Sequence, residues 1–158
     1  MLNLPEPAAA NHYYQQHIAL LLNSYQQLLK QPLFSGDAPQ SLAQQAYEAN
    51  WVLLSHTAEA EPRFNYANRQ AQTLFEYSWD ELIGLPSRLS AEPINQQARQ
   101  QLLETVAAQG YIDNYAGVRI AKSGQRFEIE QAVVWNVSDE QGRYVGQAAY
   151  FKDWRLLA

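Results

Sequence analysis

The sequence predicts an α+β domain built on a single antiparallel sheet. Three observations carry this. Short helical patterns crowd the middle of the chain, three strand-like stretches fill its last third, and residues 6–31 read as a helix. A length of 158 residues suits one domain with a short extension, and a chain of that size folds without staples.

In residues 6–31, Tyr14, Ile18, Leu21, Leu22, Tyr25, Leu28 and Leu29 recur at helical spacing. Pro32 and the cluster Ser35-Gly36-Asp37-Ala38-Pro39 end that helix in a loop. A second helix is expected over 41–50. It leads into the apolar strand 51–54, a turn at 58–62 and a second strand at 63–67. Asn68 is a helix N-cap, and Ser78 with Glu81 makes a capping box before Leu82 and Ile83, with Gly84 as the stop. A longer helix starts near Pro93 and buries Ile94, Ala98, Leu102, Leu103 and Val106, with Gly110 closing it. Strands at 111–121, 125–137 and 143–151 follow, joined by two hairpin signals. Alternation in the middle one puts Phe127, Ile129, Gln131, Val133, Trp135 and Val137 on one face.

The net charge is −5, which disfavours nucleic-acid and anionic-membrane partners because both need a basic surface. The chain has no Cys, so disulfides, thiolate zinc sites and cysteine nucleophiles are excluded. No stretch reads as a membrane span, and the expected place is a reducing cytoplasm. His12 and His17 are five apart, which misses the spacing of a helical metal pair. His56, beside Ser55 and Thr57, is the candidate for a buried hydrogen bond or a pH-responsive group. Only His56 and Asp113 offer a candidate acid–base pair.

Two blocks of residues resemble a PAS domain. One runs Phe64-Asn65-Tyr66-Ala67-Asn68, then Tyr77-Ser78 and Glu81-Leu82-Ile83-Gly84. The other is Lys122-Ser123-Gly124, Asp139, Gly142, Gly146 and Asp153. Further strings resemble the PAS-related MEKHLA family: Leu54-Ser55-His56, Trp79, Leu85-Pro86-Ser87-Arg88, Ala132-Val133-Val134-Trp135-Asn136 and Gly146-Gln147-Ala148-Ala149-Tyr150-Phe151. The division this implies is a helical cap or dimerisation segment at 1–50 and a PAS-like domain at 51–158.

The resemblance implies a pocket between sheet and helices. Its expected wall is Tyr66, Ser87, Arg88, Tyr115, Arg119, Ile129, Gln131, Val133, Trp135, Gln147 and Phe151. Ser87 stands where flavin-binding light sensors carry their reactive cysteine, so a flavin–cysteinyl adduct is excluded. Arg119, Ile129 and Phe151 fall where such domains grip the flavin with amides, and the cofactor is left unassigned. Arg88 is expected either to meet an anion or to pair with Glu81 or Glu92.

The expectation is a non-enzymatic sensory module that binds a small molecule and signals through a homodimer contact or a partner protein. The alternatives are an interaction module with a filled core and a small isomerase- or dehydratase-like enzyme. A cavity of about 300 Å³ or more is the expected mark of sensing.

Overall fold

A computed structural model describes residues 4–36 and 40–158, so residues 37–39 of the expected loop lie outside the described residues. Helix α1 is Gln15–Leu29 and α2 is Leu42–Glu48, followed by strands β1 (Val52–Thr57) and β2 (Phe64–Ala67). Helices α3 (Arg69–Phe75), α4 (Trp79–Leu82) and α5 (Gln96–Gln109) come next. Strands β3 (Tyr111–Ile120), β4 (Arg126–Ser138), β5 (Tyr144–Phe151) and β6 (Asp153–Leu156) complete the chain. The sheet is antiparallel throughout, in the order β2-β1-β5-β4-β3, with β6 paired to the first part of β4. One sheet with helices on both sides is the α+β class expected.

The first helix is shorter than the periodicity predicts. His12, Tyr13 and Tyr14 take left-handed φ angles of 54°, 52° and 54°, which end any α-helix. The break lets Tyr14 stack on Trp79, at 5.8 Å between ring centres, and Trp79 Nε1 donates to the Leu4 carbonyl. Helix α1 then lies on the outer face of the sheet, where Ile18, Leu21 and Tyr25 pack with Trp135, Val137 and Ala148.

Local signals hold where they are strongest. The Asn68 side chain caps α3 at Ala71 N and also bonds Leu53 N, the Ala46 carbonyl and the Trp51 carbonyl, tying α2, β1 and α3 together. Ser78 and Glu81 form the capping box. Pro93, by contrast, opens a short 3-10 turn rather than α5, which leaves Ile94 87% exposed instead of buried.

The main departure is in β4. Gly117 pairs with Ile129 but Tyr115 pairs with Ala132, so β4 spends one residue more than β3 between them. The extra residue is Gln131, at φ 52° and exposed. A bulge of this kind shifts the alternation by one, and every later side chain changes face. Phe127 and Ile129 point to the inner face and so do Ala132 and Val134, whereas Val133, Trp135 and Val137 pack against the outer cluster. A compensating irregularity sits in β3, where Asn114 has φ 54°.

Candidate functional site

The inner face of the sheet, α5 and the turn Ser87–Ser90 line a partly open cavity of about 80 Å³. One wall is hydrocarbon: Leu54, Phe64, Leu102, Ile129, Val134 and Phe151. The other is polar and comes from five separate elements. β1 supplies His56, the turn supplies Ser87, α5 supplies Arg99, β3 supplies Tyr115 and Arg119, and β5 supplies Gln147.

Helix α5 brings Arg99 in because Arg99, Leu102 and Val106 share one face three and four residues apart, and all three are buried. Strand β3 presents Tyr115 and Arg119 from alternate positions. The Tyr115 phenol lies across Gly117, where a side-chain carbon would come within 2.3 Å of its hydroxyl. Only glycine leaves that space open.

A chain of hydrogen bonds crosses the polar wall, and its directions are settled at the far end. Asn136 Nδ2 donates to the Val106 carbonyl at 3.0 Å, which leaves its Oδ1 to accept from Gln147 Nε2 at 3.1 Å. Gln147 Oε1 must therefore accept from His56 Nε2, at 3.3 Å. His56 Nδ1 is then unprotonated and accepts from the Ser87 hydroxyl, at 3.0 Å. Ser87 Oγ in turn accepts from Arg99 Nη2.

Burial first, and the Arg99 charge second, push the His56 imidazole down to about 4, against the opposing bond to Gln147. His56 is neutral at physiological pH. Burial, then the neighbouring Arg119 charge, lowers Arg99 to about 10, so that guanidinium keeps its proton. Arg119 donates to the Val118 carbonyl at 2.9 Å and to the Tyr115 hydroxyl at 3.3 Å, and its guanidinium lies 5.8 Å from the Tyr115 ring centre.

Of the residues expected on the pocket wall, Ser87, Tyr115, Arg119, Ile129, Gln147 and Phe151 line the cavity. Five others do not. Val133 and Trp135 are turned to the outer face by the Gln131 bulge, and Gln131 itself points to solvent. Tyr66 is buried in the outer cluster between His17 and Trp79, and its hydroxyl has no partner among the described residues. Arg88 is exposed and pairs with Glu61 at 2.7 Å, while Glu81 pairs with Lys122 and Glu92 with Arg126.

Asp113 is exposed and does not line the cavity, so no His56–Asp113 pair forms. Among the described residues no group of three metal-ligating side chains comes together. Arg99 and Asn136 are the polar site residues that sequence reasoning missed, along with Leu54, Phe64, Leu102 and Val134 of the hydrocarbon wall. The spacing of Arg99 to Leu102 and Val106 was the available signal.

The residues present do not fit a flavin. Ile129 and Phe151 offer hydrocarbon where a flavin ring needs amides. The cavity is about 80 Å³, so the roughly 300 Å³ expected as the mark of sensing, where pockets for drug-sized molecules begin, is not reached.

Comparison with solved structures gives the fold. A PAS domain from Colwellia psychrerythraea superposes with a TM-score of 0.61 at 19% identity, covering 70% of this chain and 92% of that one. A cysteine-to-serine mutant of Vivid has a TM-score of 0.59 at 16% identity, covering 89% of this chain and all of that one. A light-oxygen-voltage domain studied with a flavin analogue reaches 0.59 at 17% identity, covering 78% and 89% of the two chains. No curated protein matches the sequence. The model of the MEKHLA domain matches residues 15–156, nearly the whole chain, from α1 through the cavity-lining strands to β6; the chain belongs to the MEKHLA domain family.

Proposed function

We propose that this chain is a non-enzymatic sensory module whose inner cavity binds a small molecule and reports it through protein contacts. The observation that supports this most is the polar wall: a largely buried hydrogen-bonded chain from Arg99 to Asn136 that faces hydrocarbon across a partly open space. Apolar cavities with a few convergent polar groups are the usual form of small-ligand sites. At about 80 Å³ the space holds on the order of three to six water molecules, so the ligand is small.

Helix α5 is the transmitting element in this reading. It carries Arg99 into the cavity, and its Leu103 and Val106 carbonyls accept from Gln147 and Asn136. A ligand that binds one placement of α5 better than another shifts the population between them. Residues 1–50 act as a cap, since α1 covers the outer face. A second copy or another protein receives the signal. No helix among the described residues is long and apolar enough to cross a membrane.

Ser87 and His56 stand as a nucleophile and base would, but the third position holds the Gln147 amide. An amide does not stabilise an imidazolium as a carboxylate does, and the Arg99 charge opposes one. The small cavity and the exposed Leu89 and Ile94 favour, as the second reading, an interaction module without ligand.

A native mass spectrum of the freshly purified chain, with its absorbance above 320 nm, separates the two. A small bound mass without visible absorbance is expected. An empty protein that gains no mass from a panel of small metabolites would leave the interaction module standing.

A further inference from the structure

We propose that the cavity ligand is a small carboxylate, its anionic end held between Arg99 and Arg119 and its short hydrocarbon end against Ile129 and Phe151; this rests on the ligand-binding reading above.

The argument starts from where the arginines find partners. Five of the six exposed ones are matched with acids: Arg63 with Glu59, Arg88 with Glu61, Arg126 with Glu92, Arg143 with Asp139 and Arg155 with Glu128; the sixth, Arg69, lies over the Tyr47 ring at 5.2 Å. Water screens those charges, and they need their partners least. Arg99 and Arg119 are 6% and 9% exposed and need partners most, yet among the described residues neither forms an ion pair. No residue lining the cavity is Asp or Glu. Two like charges therefore share one low-dielectric space with nothing to offset them, an arrangement folded proteins avoid unless an anion completes it.

The hydrogen-bond inventory agrees. A guanidinium carries five N–H donors. Among the described residues Arg99 donates only to Ser87, and Arg119 only to the Val118 carbonyl and Tyr115. Most of their donors have no protein acceptor and are free for the two oxygens of a carboxylate, which matches the guanidinium fork.

His56 carries no charge at neutral pH, so the site supplies two positive charges. The opposite wall selects the rest of the ligand. Leu54, Phe64, Ile129 and Phe151 offer nothing to the oxygens of a phosphate but suit a short alkyl chain. The volume restricts that chain to a few carbons.

The test is a titration of the full chain in Tris-chloride at pH 7.5, read by amide chemical shifts and by Tm. The probes are butyrate, its neutral isostere butyramide, and inorganic phosphate. Butyrate is expected to saturate, to shift amides in α5 and β3, and to raise Tm, with butyramide and phosphate at least about tenfold weaker. Arg99→Gln and Arg119→Gln are each expected to weaken butyrate at least about tenfold while leaving the ligand-free Tm unchanged or higher, because each removes an unmatched buried charge. If one variant fails to fold, the butyrate–butyramide contrast on the unmodified chain decides.

No saturable response to butyrate at roughly 50 mM, far above a millimolar Kd, overturns the proposal. Equal binding of phosphate overturns the carboxylate assignment. Equal binding of butyramide, or a neutral molecule in the native mass spectrum, overturns the anion and leaves the small-molecule reading intact.

Discussion

The two faces of the sheet come from the same strands and hold opposite contents. On the outer face α1 seals Trp135, Tyr25 and Tyr66 into a buried cluster, with Trp135 and Tyr25 edge to face at 5.0 Å between ring centres. On the inner face α5 lies over small residues, Ala132, Val134 and Ala149, and the missing volume becomes the cavity. What separates the faces beyond Ile129 is one residue, Gln131, which sends Val133 and Trp135 outward and Ala132 and Val134 inward. Packing and cavity are thus two results of one register shift.

The sharpest way to break this comparison is Trp135→Ala. The indole is fully buried against α1, so stability should fall by about 3–5 kcal/mol in urea titrations, with or without ligand. If ligand affinity fell further than stability, the faces would not be independent.

Acid tests both faces at once. His17 on the outer face bonds Ser55 Oγ at 2.9 Å, and burial pushes its imidazole down to about 4. His56 on the inner face is also pushed down to about 4. Both bind a proton more readily when unfolded, near pH 6.5. Their contribution is therefore complete above pH 6.5 and lost as pH falls towards 4, up to about 3 kcal/mol each. Urea midpoints at pH 7.5, 6.0 and 5.0 should fall, and His17→Gln or His56→Gln should each flatten part of the slope. A level profile over that window would mean the imidazoles are not buried neutral. The exposed carboxylates held low by their cations, such as Glu81 by Lys122, act only at lower pH.

The smallest effect sharpens the bulge itself. Gln131 takes a left-handed φ that costs a residue with a side chain about 1–2 kcal/mol. Gln131→Gly removes that strain at some entropic cost, so it should stabilise by about 0.5–1 kcal/mol. A loss of stability would show that the Gln131 side chain itself holds the turn.

Most of the architecture was legible because its signals are local. Asn68, Ser78 with Glu81, and Gly110 act within one turn of their own helix, and the hairpins announce themselves by composition. The site was half legible. The family resemblance put Tyr115 and Arg119 on the cavity wall, where both lie, because β3 keeps its phase between them. Alternation along β4 failed for Val133 and Trp135 because nothing about a glutamine signals a left-handed bulge, and a phase error propagates to the end of the strand. Strand β6 follows β5 after the single residue Lys152, with no turn signal to reveal it. Arg99 was hidden for another reason. Its helix is rich in Gln and Ala, so its buried face is thin, and a charged residue there reads as surface unless its spacing to Leu102 and Val106 is counted.

The Trp135 indole also gives α1 a clock. Its Nε1–H donates to the Leu21 carbonyl at 3.1 Å in the middle of that helix, beneath a seal of side chains. Deuterium from the solvent reaches that proton only when α1 lifts off the sheet. One resolved indole signal therefore times the opening of the outer face, and comparing its exchange rate before and after the cavity is filled measures how far the two sides of the sheet are coupled.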